Sequence, residues 1–469
     1  MLQTRLWISI KSLPPRKKSS FTKFLKSPYF NQREDLCLLY RIIKQALEKE
    51  KDMTKEEVWL SLFPDKKYES SQLRLLMSYL QKLFEQFIAT ENLLEDKAKI
   101  KLQSTAWFRD TGQAKTQEIL LKEAFKLHDK SPFRDAEYHF HSFQLQQEKY
   151  RISSEVKPDK DTDFQRVIDD LDLAFLGMKL RQSCLLLAHD RVYKWGFDAG
   201  FLEQVFNYLE EKELLKTPAI AIYFYCYRML QNSEKEDFFQ AFKQELLVNG
   251  HLFKNEEVQG LYLLAINYGI RRVNDGHRKY FKDIMDFYQE GLTKEYLLQN
   301  GVLSRFTYTN IVSVALQINM SDWAENFIEE WTPRLERRYR ERMFSFNRAK
   351  IAYHTKDFDA AIPLLQRANY HDLLLNLGAR TLLLKIYYEL DEFDLLQSHL
   401  DAFSSYLRRK DGLGYHRTNY RNLIRYTNRL LSLNFMDRSA VLAFKENVKN
   451  EEILTEKTWL LQQVSRTGF

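Results

Sequence analysis

The chain is poor in the residues that turn a backbone. It has 14 glycines and 9 prolines in 469 residues, roughly 3% and 2% against common usage of about 7% and 5%. Sheets and long loops lean on both residues, so their scarcity predicts a helical protein. Cysteine is also scarce. Cys37, Cys184 and Cys226 stand far apart with no CxxC pair, which speaks for reduced core thiols and against a disulfide framework. No hydrophobic run reaches the about 20 residues that a spanning helix needs. The longest uncharged stretches, 306–321 and 258–270, are half polar or short. Leu6-Trp7-Ile8-Ser9-Ile10 is too brief for the apolar part of a secretory leader and is closed by Lys11 and Pro14. The expected location is the cytoplasm, with no membrane partner.

Chemical motifs are missing as well. There is no GxxxxGK(S/T) phosphate loop, no GxGxxG after a strand, no HExxH and no GxSxG elbow. His139 and His141 are two apart, so on a helix they point in nearly opposite directions and do not share a metal. His189 and Asp190, being adjacent, face different sides. Asp161, Asp163, Asp169, Asp170 and Asp172 form an acidic run without the glycine and distal glutamate of a calcium loop. They read as a helix start that complements the helix dipole. The expectation is a protein that is not an enzyme and holds no cofactor.

What remains is a folded, helix-forming chain with 44% apolar and 29% charged residues. Its 33 Phe and 26 Tyr supply large rings to fill the grooves between helices. Residues 1–20 read as a basic tail, because Ser12-Leu13-Pro14-Pro15-Arg16-Lys17-Lys18 has no apolar period and two prolines. Residues 21–105 read as a helical subdomain. It comprises Glu34–Leu47, a short helix Glu56–Phe63 opened by a Thr54/Glu57 capping box, and a long helix Ser70–Ile88. Residues 106–160 are a connector with helices at Thr116–Leu127 and Asp135–Tyr150. The polar, proline-bearing stretch 153–161 marks the boundary before a repeat domain, 161–469.

In that last domain the pattern is helix, short turn, helix. Asp322-Trp323, Asp357-Phe358 and Glu392-Phe393 are acidic–aromatic pairs at two successive intervals of 35 residues. Around the middle pair, Ala349, Ala352, Phe358, Ala361 and Ala368 hold small–small–aromatic–small–small positions. Leu384, Tyr387, Phe393, Leu396 and Phe403 repeat those offsets with larger residues. This resembles tetratricopeptide repeats, most closely over 345–370, although no Trp-x-x-Leu-Gly signature and no repeat-end proline is present. Looser hairpins precede it at Pro218–Leu230 with Glu234–Leu247, and at Glu256–Arg272 with His277–Glu290. The resemblance implies an all-α fold, an α-solenoid of antiparallel helix hairpins. The whole chain also resembles helical proteins found in some bacteria, a likeness that supplies no function.

The segments Thr54–Leu60, Leu62-Phe63-Pro64 and Leu73–Leu80 resemble the helix–turn–helix half of a winged-helix domain, without a strand pair for the wing. That resemblance implies nucleic-acid contacts from Arg74 and Lys82, with Lys17 and Lys18 of the tail assisting.

The sharpest local feature is a ladder of arginines. Arg417, Arg421, Arg425 and Arg429 recur every fourth residue, and no Asp or Glu lies between Asp411 and Asp437. Tyr415, Tyr420 and Tyr426 are interleaved. Such a stripe repels itself unless an anion lies against it. A second cluster around Arg338 and Arg342 is partly offset by Glu336 and Glu341. The expectation is a scaffold whose basic groove, carrying Arg417, Arg421, Arg425, Arg429, Arg338 and Arg342, binds an acidic protein segment. The alternative is a nucleic-acid-binding protein using the same stripes.

Overall fold

A computed structural model describes residues 4–155, 165–232, 234–367 and 372–465. Helix dominates, and the described strands are two, Leu298–Gln299 and Val302–Leu303, paired antiparallel in one small hairpin. No helix among the described residues is long and apolar enough to cross a membrane. The chain divides into two compact units, the first made of residues 1–182 and 203–220, the second of 183–202 and 221–469.

The helices of the first part are α1 Arg5–Ser12, α2 Pro15–Leu25, α3 Glu34–Glu48, α4 Lys55–Leu62, α5 Ser70–Glu95, α6 Lys97–Asp110, α7 Ala114–Asp129, α8 Ala136–Glu155, α9 Gln165–Tyr193 and α10 Leu202–Glu211. Where the structure describes it, from residue 4 on, the expected basic tail 1–20 is not a loose tail. Leu6, Trp7, Ile10 and Leu13 are buried in the same core as Leu39, Trp59 and Phe87. Pro15 is the first residue of α2, a place where its missing N–H costs nothing and its fixed φ suits the helix. The capping box forms as expected: Thr54 N–H donates 2.7 Å to Glu57 Oε2, and Glu57 N–H donates 3.2 Å to Thr54 Oγ1. The expected division at 105/106 falls inside α6, and most of the stretch 153–161 lies outside the described residues. The described strands all lie in the second unit, so none accompanies α4 and α5.

The rest of the chain continues with α11 Pro218–Gln231, α12 Glu236–Asn249, α13 Asn255–Asn274, α14 Tyr280–Thr293, α15 Arg305–Gln317, α16 Ser321–Trp331, α17 Arg340–His354, α18 Phe358–Arg367, α19 Leu373–Glu389, α20 Phe393–Arg409, α21 Tyr415–Leu431, α22 Arg438–Asn450 and α23 Lys457–Ser465. From α12 to α21 each helix packs on its sequence neighbour, and α17 also packs on both α15 and α19. First helices of successive hairpins are thus in contact. The three acidic–aromatic pairs sit where second helices begin. Trp323 lies in the first turn of α16, while Phe358 and Phe393 open α18 and α20. Ala349, Ala352 and Ala361 are buried; Ala368 lies outside the described residues.

The turns explain how so few glycines suffice. Asn319, Lys356 and Asp391 take positive φ of 59°, 66° and 58°. The residue after each bonds back five positions: Met320 N–H to Ala315 O, Asp357 N–H to Ala352 O and Glu392 N–H to Tyr387 O, all at 2.9–3.0 Å. This is the helix-closing motif that glycine normally serves, here carried by polar residues at a modest conformational cost. Within the helices some glycines serve close approach instead. A Cβ on Gly378 of α19 would lie 2.8 Å from Phe346 of α17.

Candidate functional site

α21 has two kinds of face. Leu423, Ile424, Tyr426, Thr427 and Leu430 are buried, while Arg421, Arg425 and Arg429 are exposed and Arg417 half-buried. The fourfold spacing therefore does place the guanidinium groups along one solvent-facing line. Their partners differ. Arg417 Nη2 donates 2.7 Å to the Lys410 carbonyl, and its Nε is buried without a hydrogen bond. Arg425 Nη2 lies 2.5 Å from Glu451 Oε2, an ion pair with a residue beyond α22. Arg429 and Arg425 both stand over the Tyr426 ring, at 5.8 and 5.0 Å from its centroid. Among the described residues the stripe is thus neutralised at one point of four by a carboxylate of the same chain.

The second cluster is more heavily engaged. Arg338 pairs with Glu336 at 2.8 Å and lies over Tyr339. Arg334 reaches Glu295 at 3.3 Å, and Arg340 Nε donates 2.9 Å to the Leu335 carbonyl. Arg342 is partly exposed.

The residues expected to touch nucleic acid lie on α2 and α5 of the first unit. Lys17 is bound to Glu91 and Glu95 at 3.3 and 2.5 Å, and the hydrogen bond to Glu95 is the main reason its amine is held above its ordinary pKa. Lys18 is half-buried, and its carbonyl accepts from Tyr40 and Thr22. Arg74 Nε turns back to the Ser70 carbonyl at 3.2 Å, and Lys82 lies 5.9 Å from the Tyr79 ring.

A further feature, not foreshadowed by any motif, lies in the second unit. A cavity of about 1190 Å³ is lined by Tyr353 of α17, Lys356 of the turn after it, Lys385 and Glu389 of α19, and Glu456 and Trp459 near the chain's end. α21 contributes Tyr415 and Asn419 to its wall, and Asn419 Oδ1 is buried without a donor. Glu389 is 3% exposed and accepts from Tyr353, Lys356 and, at 2.9 Å, Trp459 Nε1. Burial raises the pKa of its carboxyl, but the three donors outweigh burial and hold it below the ordinary value. Lys385 pairs with Glu456 at 3.0 Å. One turn along α17, the Lys350 ammonium donates to Ser313 Oγ and has no carboxylate within ion-pair distance among the described residues. Burial, reinforced by Lys385 and opposed by Glu456, brings its pKa down to about 8.

No group of three or more metal-ligating side chains occurs among the described residues. Asp161 and Asp163 lie outside them, Asp172 accepts from Tyr208 at 2.8 Å, and Asp170 faces His139 at 4.0 Å. α9 begins at Gln165, so Asp169, Asp170 and Asp172 follow its first turn and do not open it. In comparisons with known proteins, no family model, no curated protein and no solved structure matches this chain.

Proposed function

We propose that the protein is a non-enzymatic, tetratricopeptide-like scaffold of the cytoplasm that holds an acidic segment of another protein against α21. The observation that carries this reading is the exposed line of Arg421, Arg425 and Arg429, continued by the half-buried Arg417; of the four, Arg425 alone has a described carboxylate partner. Cations four residues apart on one helix repel each other by tenths of a kcal/mol per pair, and a ligand with carboxylates at helical spacing removes that repulsion. Planar guanidinium groups bind carboxylates through two parallel hydrogen bonds, so the surface selects acidic side chains over a diffuse negative field. Arg338 and Arg342 form a second, weaker patch for a long ligand.

The test uses a fluorescent poly-glutamate probe and the full chain. Fluorescence anisotropy is expected to report binding that Arg421→Glu with Arg429→Glu abolishes while circular dichroism and the melting temperature stay unchanged, since both side chains are exposed. Single-stranded DNA of equal length serves as the rival. If it binds more tightly, with an affinity falling steeply and linearly in log–log coordinates as salt rises, phosphate contacts replace the reading. Undiminished poly-glutamate binding by the double variant removes α21 from the account.

A further inference from the structure

Six residues join α22 to α23: Glu451-Glu452-Ile453-Leu454-Thr455-Glu456. Three are carboxylates, none is a cation, and the stretch is not helical. It lies against α21 and runs antiparallel to it. Glu451 Oε2 stands 2.5 Å from Arg425 Nη2 and accepts from the Tyr426 hydroxyl at 3.2 Å. Two residues on, the Ile453 carbonyl accepts from Asn422 Nδ2 at 2.8 Å, nearer the start of α21. Glu452 is exposed and borders the same cavity as Tyr415 and Asn419. Glu456 closes the stretch with its 3.0 Å ion pair to Lys385 of α19. The chain thus lays an acidic segment of its own along the helix that carries the arginine line.

The two ends of this segment are held differently. Leu454 is buried, as are Trp459 and Leu460 of α23 beyond it, so packing fixes the later part. The Glu451 end faces water: Arg425 is 47% and Glu451 24% exposed. An ion pair at such a site is weak, because solvent screens it and two long side chains must be held still. A ligand carboxylate offers Arg425 the same charge and, through two parallel hydrogen bonds, a better grip. Glu451 already occupies Nη2, so the two carboxylates compete for one guanidinium. We infer that the segment 451–456 is a built-in competitor: Glu451 covers Arg425 in the free protein and is displaced when an acidic partner settles on α21. The inference rests on the reading of α21 as an acidic-ligand surface and adds a control to it. Arg421 and Arg429 are exposed and take the first contact, whereas Arg425 is released only to a ligand that outcompetes the chain itself.

Fluorescence anisotropy of the full chain with the poly-glutamate probe tests this. Glu451→Gln keeps the side chain's shape and removes its charge, and is expected to bind the probe about three- to fivefold more tightly than wild type. Glu452→Gln removes an equal charge from outside the pair and is expected to match wild type. In an Arg425→Gln background the gain from Glu451→Gln is expected to vanish, as a double-mutant cycle requires of a direct pair. Should Glu451→Gln fail to fold, amide exchange in the wild type decides: bound poly-glutamate is expected to speed exchange over residues 451–453, and unchanged exchange overturns the proposal. A gain equalled by Glu452→Gln, or one that persists without Arg425, overturns it too. Wild-type binding that Glu451→Gln does not improve removes the competitor and leaves the reading of α21 standing. Absence of binding in wild type and Glu451→Gln alike removes that reading, and the competitor with it.

Discussion

Glu389 ties three elements of the second unit together, and its removal has a calculable consequence. Its carboxylate accepts from Tyr353 and Lys356 at the end of α17 and from Trp459 of α23 while being 3% exposed. Breaking a buried pair by deleting one partner costs about 3–5 kcal/mol. Lys356 is 51% exposed, so water recovers part of its share, and Glu389→Ala is expected to cost about 3 kcal/mol locally. Glu389→Gln keeps an oxygen acceptor and should cost about half as much. Hydrogen exchange reads the effect where it occurs. A local loss of about 3 kcal/mol opens the amides of α23 roughly 100-fold more often. The dependence on pH has a definite sign. A carboxyl depressed in the fold contributes stability above its unfolded pKa of about 4.3 and loses that contribution as pH falls through the folded value. Wild type and Glu389→Gln should therefore converge in acid. Exchange in α23 that differs less than about threefold between Glu389→Ala and wild type would refute the idea that this carboxylate anchors the last helix.

Three further outcomes are expected. Lys350→Met should raise stability at pH 7 by about 1–3 kcal/mol in urea titrations. The burial penalty on the charged amine is fully present below its folded pKa of about 8 and is relieved toward the unfolded value, so the advantage should shrink above pH 8. Glu50, at φ 50°, closes α3 in a left-handed conformation. Glu50→Gly should therefore stabilise the first unit by about 0.5–1 kcal/mol in thermal melts. Gly269→Ala should destabilise by about 1–2 kcal/mol despite the better helix former, because the added Cβ meets Ile284 Cγ1 at 2.6 Å.

The legible parts were those governed by local chemistry. Apolar spacing located α3, the start of α5 and the hairpins to within a few residues, although α5 runs seven residues past the expected Ile88, and Thr54 with Glu57 marked a helix start that the fold realises. Proline misled where position decides its meaning: Pro15 reads as a breaker but begins α2. α6 was faint because Thr105 is its one buried described residue, which leaves no apolar period to see. The arginine spacing on α21 correctly implied a solvent-facing line, yet Glu451, 26 residues beyond Arg425, is brought back by the turn after α22 in a way no spacing rule announces. Glu389 and Trp459 meet across 70 residues of sequence. Each alone is an ordinary helix residue, and the site exists only through packing.

The most direct measurement of the central claim is arginine footprinting with phenylglyoxal, in the presence and absence of poly-glutamate, read by mass spectrometry. Arg421 and Arg429 are expected to be protected, while Arg5 and Arg16 of the first unit react equally in both samples. Uniform reactivity at Arg421 and Arg429, with the probe demonstrably bound, would show that the acidic ligand is held elsewhere.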